Sequence, residues 1–284
     1  MSPPLDPDTL ERCVTAALAE DLGDRGDITS RASVPADRRA RARLVAREPM
    51  VLAGLPVARA VFRGLDRDAR FSGGFEDGSR VDAGQIVLTV ESSAIALLEG
   101  ERTALNFLQR MSGIATATRA AVDEIAGTGA TILDTRKTAP GLRRLDKYAV
   151  AVGGGMNHRM GLYDAAMVKD THLAAAGSLE AAVRACLQAG IPQASVTAEV
   201  GSPEELARAM AAGAGRALLD NMSVDALAAC VAAGKGRIVL EASGGLRPGR
   251  LRAVAETGVD ALSLGYLTHS VRAADLAMDL EVLS

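Results

Sequence analysis

From residue 130 onward the chain repeats one pattern, and that pattern limits the folds open to it. Apolar runs of strand length occur at TILD (131–134), AAMVKD (165–170), SVTAEV (195–200), RALLD (216–220), RIVLEAS (237–243) and ALSLG (261–265). Helix-patterned segments separate the later ones. Ser178 opens one, with Leu179, Ala182, Val183, Cys186 and Leu187 on one face, and Gly190 closes it. Ser202-Pro203-Glu204-Glu205 reads as a capping box with Pro at the first helical position, and Gly213 is its stop. Ser223 and Gly234 bracket a third segment, and Arg247-Pro248 and Gly258 a fourth. Strands alternating with helices predict a parallel sheet. Six strands of near-continuous apolar character favour a barrel over an open sheet. GGG at 153–155 lacks the strand–GxGxxG–helix context of a dinucleotide site, so a doubly wound nucleotide-binding fold is the weaker choice.

The first third differs. Residues 8–20 carry Leu10, Val14, Ala17 and Leu18 on one helical face, and GDRGDIT (23–29) reads as a loop. ARLVA (42–46), MVLAG (50–54) and QIVLTV (85–90) are short strand-like runs punctuated by Asp77-Gly78 and Ala83-Gly84. A helical stretch from about 93 to 126 follows, with a break expected near Gly113. A small sheet-containing domain ahead of the barrel is the expectation, and 284 residues at 48% hydrophobic supply core enough for two domains.

Several function classes are disfavoured. No apolar run approaches the ~18–20 residues of a membrane span. MSPPLDPDTLERC has no basic segment followed by an apolar one, so no signal peptide is expected. Cys13, Cys186 and Cys230 are odd in number and far apart, which fits buried thiols better than disulfides or zinc. A soluble, cytoplasmic protein is expected. A formal net charge of −3 and four Phe, three Tyr and no Trp argue against nucleic-acid binding. Yet LDTRKTAPGLRRLDKY (133–148) gathers Arg136, Lys137, Arg143, Arg144 and Lys147. The chain has four lysines against twenty-eight arginines, and Lys137, Lys147 and Lys169 all fall between 134 and 170. A point charge and a planar fork are not interchangeable at a site, so these lysines point to a local anion.

The last residues of the strands carry the chemistry. They are Asp134 with Arg136 and Lys137 just beyond, Lys169 and Asp170, Glu199, Asp220 and Asn221, Glu241 and Ser243, and Gly265. In a parallel barrel these ends share one rim, where catalytic groups sit. Arg136, Lys137, Lys169, His158 and Arg159 supply cations for a polyanionic substrate. Glu199, Asp220 and Glu241 supply carboxylates for a magnesium-bound pyrophosphate or a sugar with developing positive charge. Ser243-Gly244-Gly245 and Gly265 offer backbone N–H groups to a phosphate. His269 either lines that phosphate site or satisfies a core hydrogen bond, and His172 has the same two readings. Neither a His/Cys cluster for zinc nor a GxSxG or Cys–His pairing for a hydrolase is present.

GERTALNFLQRMSGIAT (100–116), LDTRKTAPGLRRLDKYAV (133–150), GGGMNHRMGLYD (153–164), VKD (168–170), LLDN (218–221), EASGG (241–245) and LGYLTHS (264–270) resemble the quinolinate phosphoribosyltransferases. EDLGDRGDITS (20–30) is similar to their N-terminal motif with an extra residue or two. The resemblance runs over essentially the whole chain. It implies an α/β fold with an incomplete, about seven-stranded TIM-like barrel (113–267) and an α/β sandwich domain (1–112 with 268–284). It implies a homodimer with shared active sites, with higher oligomers open. It implies transfer of phosphoribose from phosphoribosyl pyrophosphate to quinolinate with magnesium, releasing pyrophosphate and carbon dioxide.

By the same resemblance, Arg136, His158, Arg159 and Lys169 hold the dicarboxylate, and Arg102 reaches in from the other subunit. Lys137, aided by Lys169, faces the pyrophosphate. Glu199 and Asp220 attend the ribose and the metal, through water or substrate. Ser243, Gly244, Gly245, Gly265 and His269 hold phosphate. Arg143, Arg144 and Lys147 are expected on a helix surface or behind the site. Three positions depart from the family pattern: Thr197 replaces a usual Glu, Thr171 a usual Asn, and Tyr266, beside the phosphate loop, a usual small residue. An altered homologue, such as a molybdenum-transport accessory protein of the same fold, is the alternative. Retention of DTRK and of the Lys in VKD weighs against it.

Overall fold

Short polar side chains start the helices as the sequence predicts. The Asp6 carboxylate accepts from the Thr9 backbone N–H and hydroxyl, and Pro7 occupies the first turn. Ser178, Ser202 and Ser223 each accept from a backbone N–H three residues on. The return arm of the expected capping box is displaced by one residue: Glu205 accepts from Gly201 N at 2.7 Å. Gly213 ends its helix in the left-handed region, φ 96°.

The structure, a computed structural model, describes residues 5–283. In chain order the elements are α1 (Pro7–Leu22), α2 (Ile28–Ser33), β1 (Arg39–Ala46), β2 (Met50–Val51), α3 (Leu55–Leu65), β3 (Arg70–Ser72), β4 (Arg80–Val81), β5 (Ile86–Ser93) and α4 (Ala94–Glu124). There follow β6 (Thr131–Leu133), α5 (Arg143–Val152), β7 (Ala166–Val168), α6 (Asp170–Ala176), α7 (Leu179–Gln188), β8 (Val196–Val200) and α8 (Pro203–Ala212). The last are β9 (Arg216–Asp220), α9 (Val224–Gly234), β10 (Val239–Ser243), α10 (Leu251–Ala255), β11 (Ala261–Ser263), α11 (Tyr266–His269) and β12 (Leu276–Val282). By contacts the chain divides into two units, one running to Arg119 and including 139–154 and 270 onward, the other comprising 120–138 and 155–269.

The first unit holds a four-stranded antiparallel sheet in the order β12-β1-β5-β3, with β2 and β4 paired beside it. Three expectations are corrected here. The segment 23–29 is not all loop: Asp27 caps α2, its carboxylate accepting from Thr29 N and Ser30 N. The run 50–54 forms only a two-residue strand, because Val51 N and Ala53 N donate instead to Thr116 Oγ1 and Ser112 Oγ on α4. And α4 is unbroken at Gly113, which serves close approach: a Cβ there would lie 2.2 Å from Arg272 O.

The second unit is a six-stranded parallel sheet in the order β6-β11-β10-β9-β8-β7. Met156 makes a single parallel bridge to Leu133, adding a rudimentary seventh position beyond β6. Among the described residues no pairing joins Met156 to β7, so the barrel is incomplete. Side chains alternate along each strand. On β8, Val196, Ala198 and Val200 face the helices while Thr197 and Glu199 face inward. The register carries that inward set to Arg216, Leu218 and Asp220 on β9 and to Val239, Glu241 and Ser243 on β10.

Candidate active site

Strand polarity brings most of the expected residues to one end of the sheet. The C-terminal ends of β6 to β11 lead into Arg136 and Lys137, Lys169, Glu199, Asp220, Ser243 and Gly265. Within that set, three groups form.

The first group is cationic. Burial, and then the like charge of Arg136, hold the Arg159 guanidinium below its ordinary pKa, with Asp164 opposing them. An anion beside the two guanidiniums would relieve that repulsion. Arg159 is steadied by donating from Nη1 to Ala165 O at 2.8 Å. Asp134, fully buried, is not a rim ligand: it accepts from Asn157 Nδ2 and from His158 N, and so fixes the loop that carries His158 and Arg159.

The second group pairs Lys169 Nζ with Glu199 Oε2 at 2.5 Å. Lys169 is the N-cap residue of α6, and its backbone N donates to His172 Nδ1 at 3.2 Å. His172 is exposed and accepts from the start of its own helix, so it makes no core hydrogen bond through Nδ1. Asp220 lies beside it on the neighbouring strand and accepts from Asn221 Nδ2.

The third group is built round glycines. Gly244 and Gly245 follow β10 at φ 88° and 61°, and Gly244 packs so tightly on Asn221 that a Cβ would lie 2.3 Å from Asn221 Oδ1. A Cβ on Gly265 would lie about 3 Å from both Lys137 Cδ and His269 Cδ2. Thr268 Oγ1 donates to Lys137 O and ties α11 to the loop after β6. With no Cβ on either residue, the backbone N–H groups of this turn are open to close approach by an anion. His269 is exposed and borders this space.

Some expectations shift. Glu241 belongs not to the rim but to the interior, where it is fully buried. Lys147 on α5 is buried, so the helix-surface half of its expectation falls away, and its neighbour Asp146 is buried as well. The reason is Arg110, whose Nε and Nη2 each donate to the Asp146 carboxylate at 2.8 Å, while Ala139 N also donates to it. Arg102 lies exposed on α4 in the first unit, lining a cavity with Arg12, Asn106 and Arg110. Tyr266 is pushed up to about 12 by burial and by Glu124, so its hydroxyl lies within reach of that carboxylate's charge. Glu124 in turn caps α10, accepting from Gly249 N and Leu251 N. No sequence signal marks that cap, since the partners are more than a hundred residues apart.

Cations, two half-buried carboxylates and a glycine turn gathered at the strand ends of one parallel sheet mark the end where proteins of this architecture bind anionic and phosphorylated ligands. Residues 114–279 match the family model for the C-terminal domain of quinolinate phosphoribosyl transferase, and residues 27–112 match that for its N-terminal domain. The chain is 47% identical over 279 residues to the nicotinate-nucleotide pyrophosphorylase (carboxylating) of Mycobacterium leprae, covering 96% of each. It superposes on NadC from Streptococcus pyogenes with a TM-score of 0.94 at 38% identity, covering all of both chains. The nicotinate-nucleotide pyrophosphorylase from Francisella tularensis gives 0.92 at 36% identity over 98% of each. The chain belongs to the quinolinate phosphoribosyltransferase family. The molybdenum-transport alternative gains no support from these relatives.

Proposed function

We propose that this protein transfers phosphoribose from phosphoribosyl pyrophosphate to quinolinate and decarboxylates the product to nicotinate mononucleotide, a step of NAD synthesis. The observation that carries the reading is the match of residues 27–112 and 114–279 to the two domains of quinolinate phosphoribosyl transferase, with Arg136, Arg159 and Lys169 present in the segments beyond the strand ends. Quinolinate has two adjacent carboxylates, which suit forks and a point charge. In this reading Arg136, Arg159 and Lys169 hold the diacid, His158 flanks it, and Arg102 of the partner subunit completes the clamp in a homodimer. Lys137, Ser243, Gly244, Gly245, Gly265 and His269 hold the phosphates of the second substrate.

Chemistry follows from that placement. The pyridine nitrogen forms a bond to C1 of the ribose as the C1–oxygen bond breaks and pyrophosphate departs with the electron pair. Glu199 and Asp220 stabilise the positive charge that builds on the sugar. The ring nitrogen is now a pyridinium. The bond from C2 to its carboxylate then breaks, carbon dioxide leaves, and the electron pair stays at C2 beside the cationic nitrogen until a proton from solvent replaces it. The protein supplies orientation and charge placement.

Magnesium fits as a substrate-borne ion. Glu199 and Asp220 are oxygen donors, but no group of three or more metal-binding side chains occurs among the described residues. Two carboxylates with substrate phosphates suit magnesium, which keeps much of its own water. When bound, it would offset negative charge on pyrophosphate.

A cytoplasmic setting accords with three unpaired thiols, Cys13, Cys186 and Cys230. No helix of the described residues is long and apolar enough to cross a membrane.

The test is turnover of quinolinate with phosphoribosyl pyrophosphate and magnesium, following nicotinate mononucleotide and carbon dioxide. Stoichiometric formation of both is expected. Product from nicotinate but not from quinolinate would contradict the reading, as would no product at all.

A further inference from the structure

Glu241 is a charged side chain in a place that ordinarily excludes charge. The period of two along β10 turns it inward between Val239 and Ser243, and no part of it reaches solvent. Three polar groups surround its carboxylate. His158 Nε2 lies 3.3 Å from Oε2, Arg216 Nη2 lies 3.5 Å from the same oxygen, and the Ser263 hydroxyl on neighbouring β11 adjoins it; these are charge and dipole contacts rather than aligned hydrogen bonds. These partners come from three directions: the loop beyond the seventh position, the start of β9 and the end of β11.

The other edge of the imidazole is also fixed. His158 Nδ1 accepts from Arg159 N at 2.7 Å. An acceptor at Nδ1 places the proton of the neutral ring on Nε2, the edge that faces Glu241. The main chain on either side is held too, by Asp134 to His158 N and by the Arg159 side chain to Ala165 O. His158 therefore has one ring edge committed to Arg159 and the other to the barrel interior.

We propose that Glu241 is a positioning residue: its carboxylate, balanced by Arg216, fixes the tautomer and orientation of His158, and through Nδ1 the path of Arg159 beside the diacid. The proposal rests on the reading above for the identity of the diacid, and on the geometry round His158 alone for the hold on that ring. A merely structural ion pair would support the fold without favouring either substrate. A positioning group acts on the diacid and leaves phosphoribosyl pyrophosphate untouched.

Two measurements on the full chain test it. In protein labelled with 15N-histidine, the wild type should show one ring with a fixed Nε2–H tautomer, assigned as His158 by its disappearance in His158→Asn. Glu241→Ala should abolish the fixed state and give an averaged ring. In steady-state kinetics, Glu241→Gln should raise KM for quinolinate by about tenfold, while KM for phosphoribosyl pyrophosphate stays within about twofold. If the Glu241 variants do not fold, Ser263→Ala leaves the carboxylate in place and should move both readouts the same way by less. A His158 ring unchanged in the variants overturns the proposal even if quinolinate is turned over. Equal loss for both substrates overturns it as well. A wild type that never turns over quinolinate, yet whose His158 ring is released by Glu241→Ala, leaves the hold on His158 standing and overturns the assignment of the diacid instead.

Discussion

Lys169 is engaged in two ways: its ammonium touches Glu199 at 2.5 Å, and its backbone N donates to His172 Nδ1 at the start of α6. A dicarboxylate arriving there competes with Glu199 for the same three donors. Lys169→Ala should therefore remove a substrate clamp and also leave Glu199 without its cation. A loss in kcat/KM of about 10²–10⁴-fold, roughly 3–5 kcal/mol, is expected in steady-state assays. Lys169→Arg should restore little, since a planar fork does not reproduce a point charge at one oxygen.

Glu241 gives a pH prediction at the same scale. Burial alone would raise its carboxyl, but the Arg216 charge and the polar neighbours His158 and Ser263 together outweigh that and hold it below the ordinary value. A depressed folded value means the group adds stability above the unfolded carboxyl range of about 4.3, and that stability is lost as pH falls through the folded value. Thermal melts from pH 6 down to pH 3 should fall more steeply for the wild type than for Glu241→Gln. Equal slopes would contradict the assignment of an ionised Glu241.

Among the elements, α5 shows what charge-rich sequence conceals. RRLDKY reads as a solvated helix, yet Asp146 and Lys147 are both buried, and Arg110, thirty-six residues earlier, grips Asp146 with two donors. Arg110→Ala strands a buried carboxylate and should cost about 3 kcal/mol, read as a lowered Tm or urea midpoint. An unchanged melt would mean the pair is dispensable.

The same physics explains which elements were legible. Ser178, Ser202, Ser223 and Gly213 mark helix ends through local bonds, and each boundary falls within a residue or two of expectation. Strands β6, β7 and β11 are only three residues long, shorter than their apolar runs, because pairing stops where Asp134, Lys169 and Gly265 turn to other partners. Gly113 looked like a helix breaker, but tertiary contact with Arg272 is what requires it. Glu241 reads as a rim acid in the sequence, but it is enclosed by His158, Arg216 and Ser263, whereas Glu199, level with the same Leu218, meets Lys169. Long-range partners such as His158 for Glu241 and Glu124 for α10 leave no local trace.

For the whole molecule, the proposed shared site makes a prediction that no isolated chain can satisfy. Chains carrying Arg102→Ala and chains carrying Lys169→Ala should each be nearly inactive. Mixed and allowed to exchange, about half the dimers are hybrids with one complete site each, so about 25% of wild-type activity should return. No recovery after proven exchange would place Arg102 outside the catalytic unit.

The claim beneath all of this is that Arg136, Arg159 and Lys169 grip one doubly negative pyridine. A crystal structure of the protein with quinolinate tests it most directly. The account predicts both carboxylates within hydrogen-bond distance of these three side chains, with the ring nitrogen turned toward Glu199 and Asp220. Quinolinate bound elsewhere, or the three side chains directed apart with none touching it, would contradict the account.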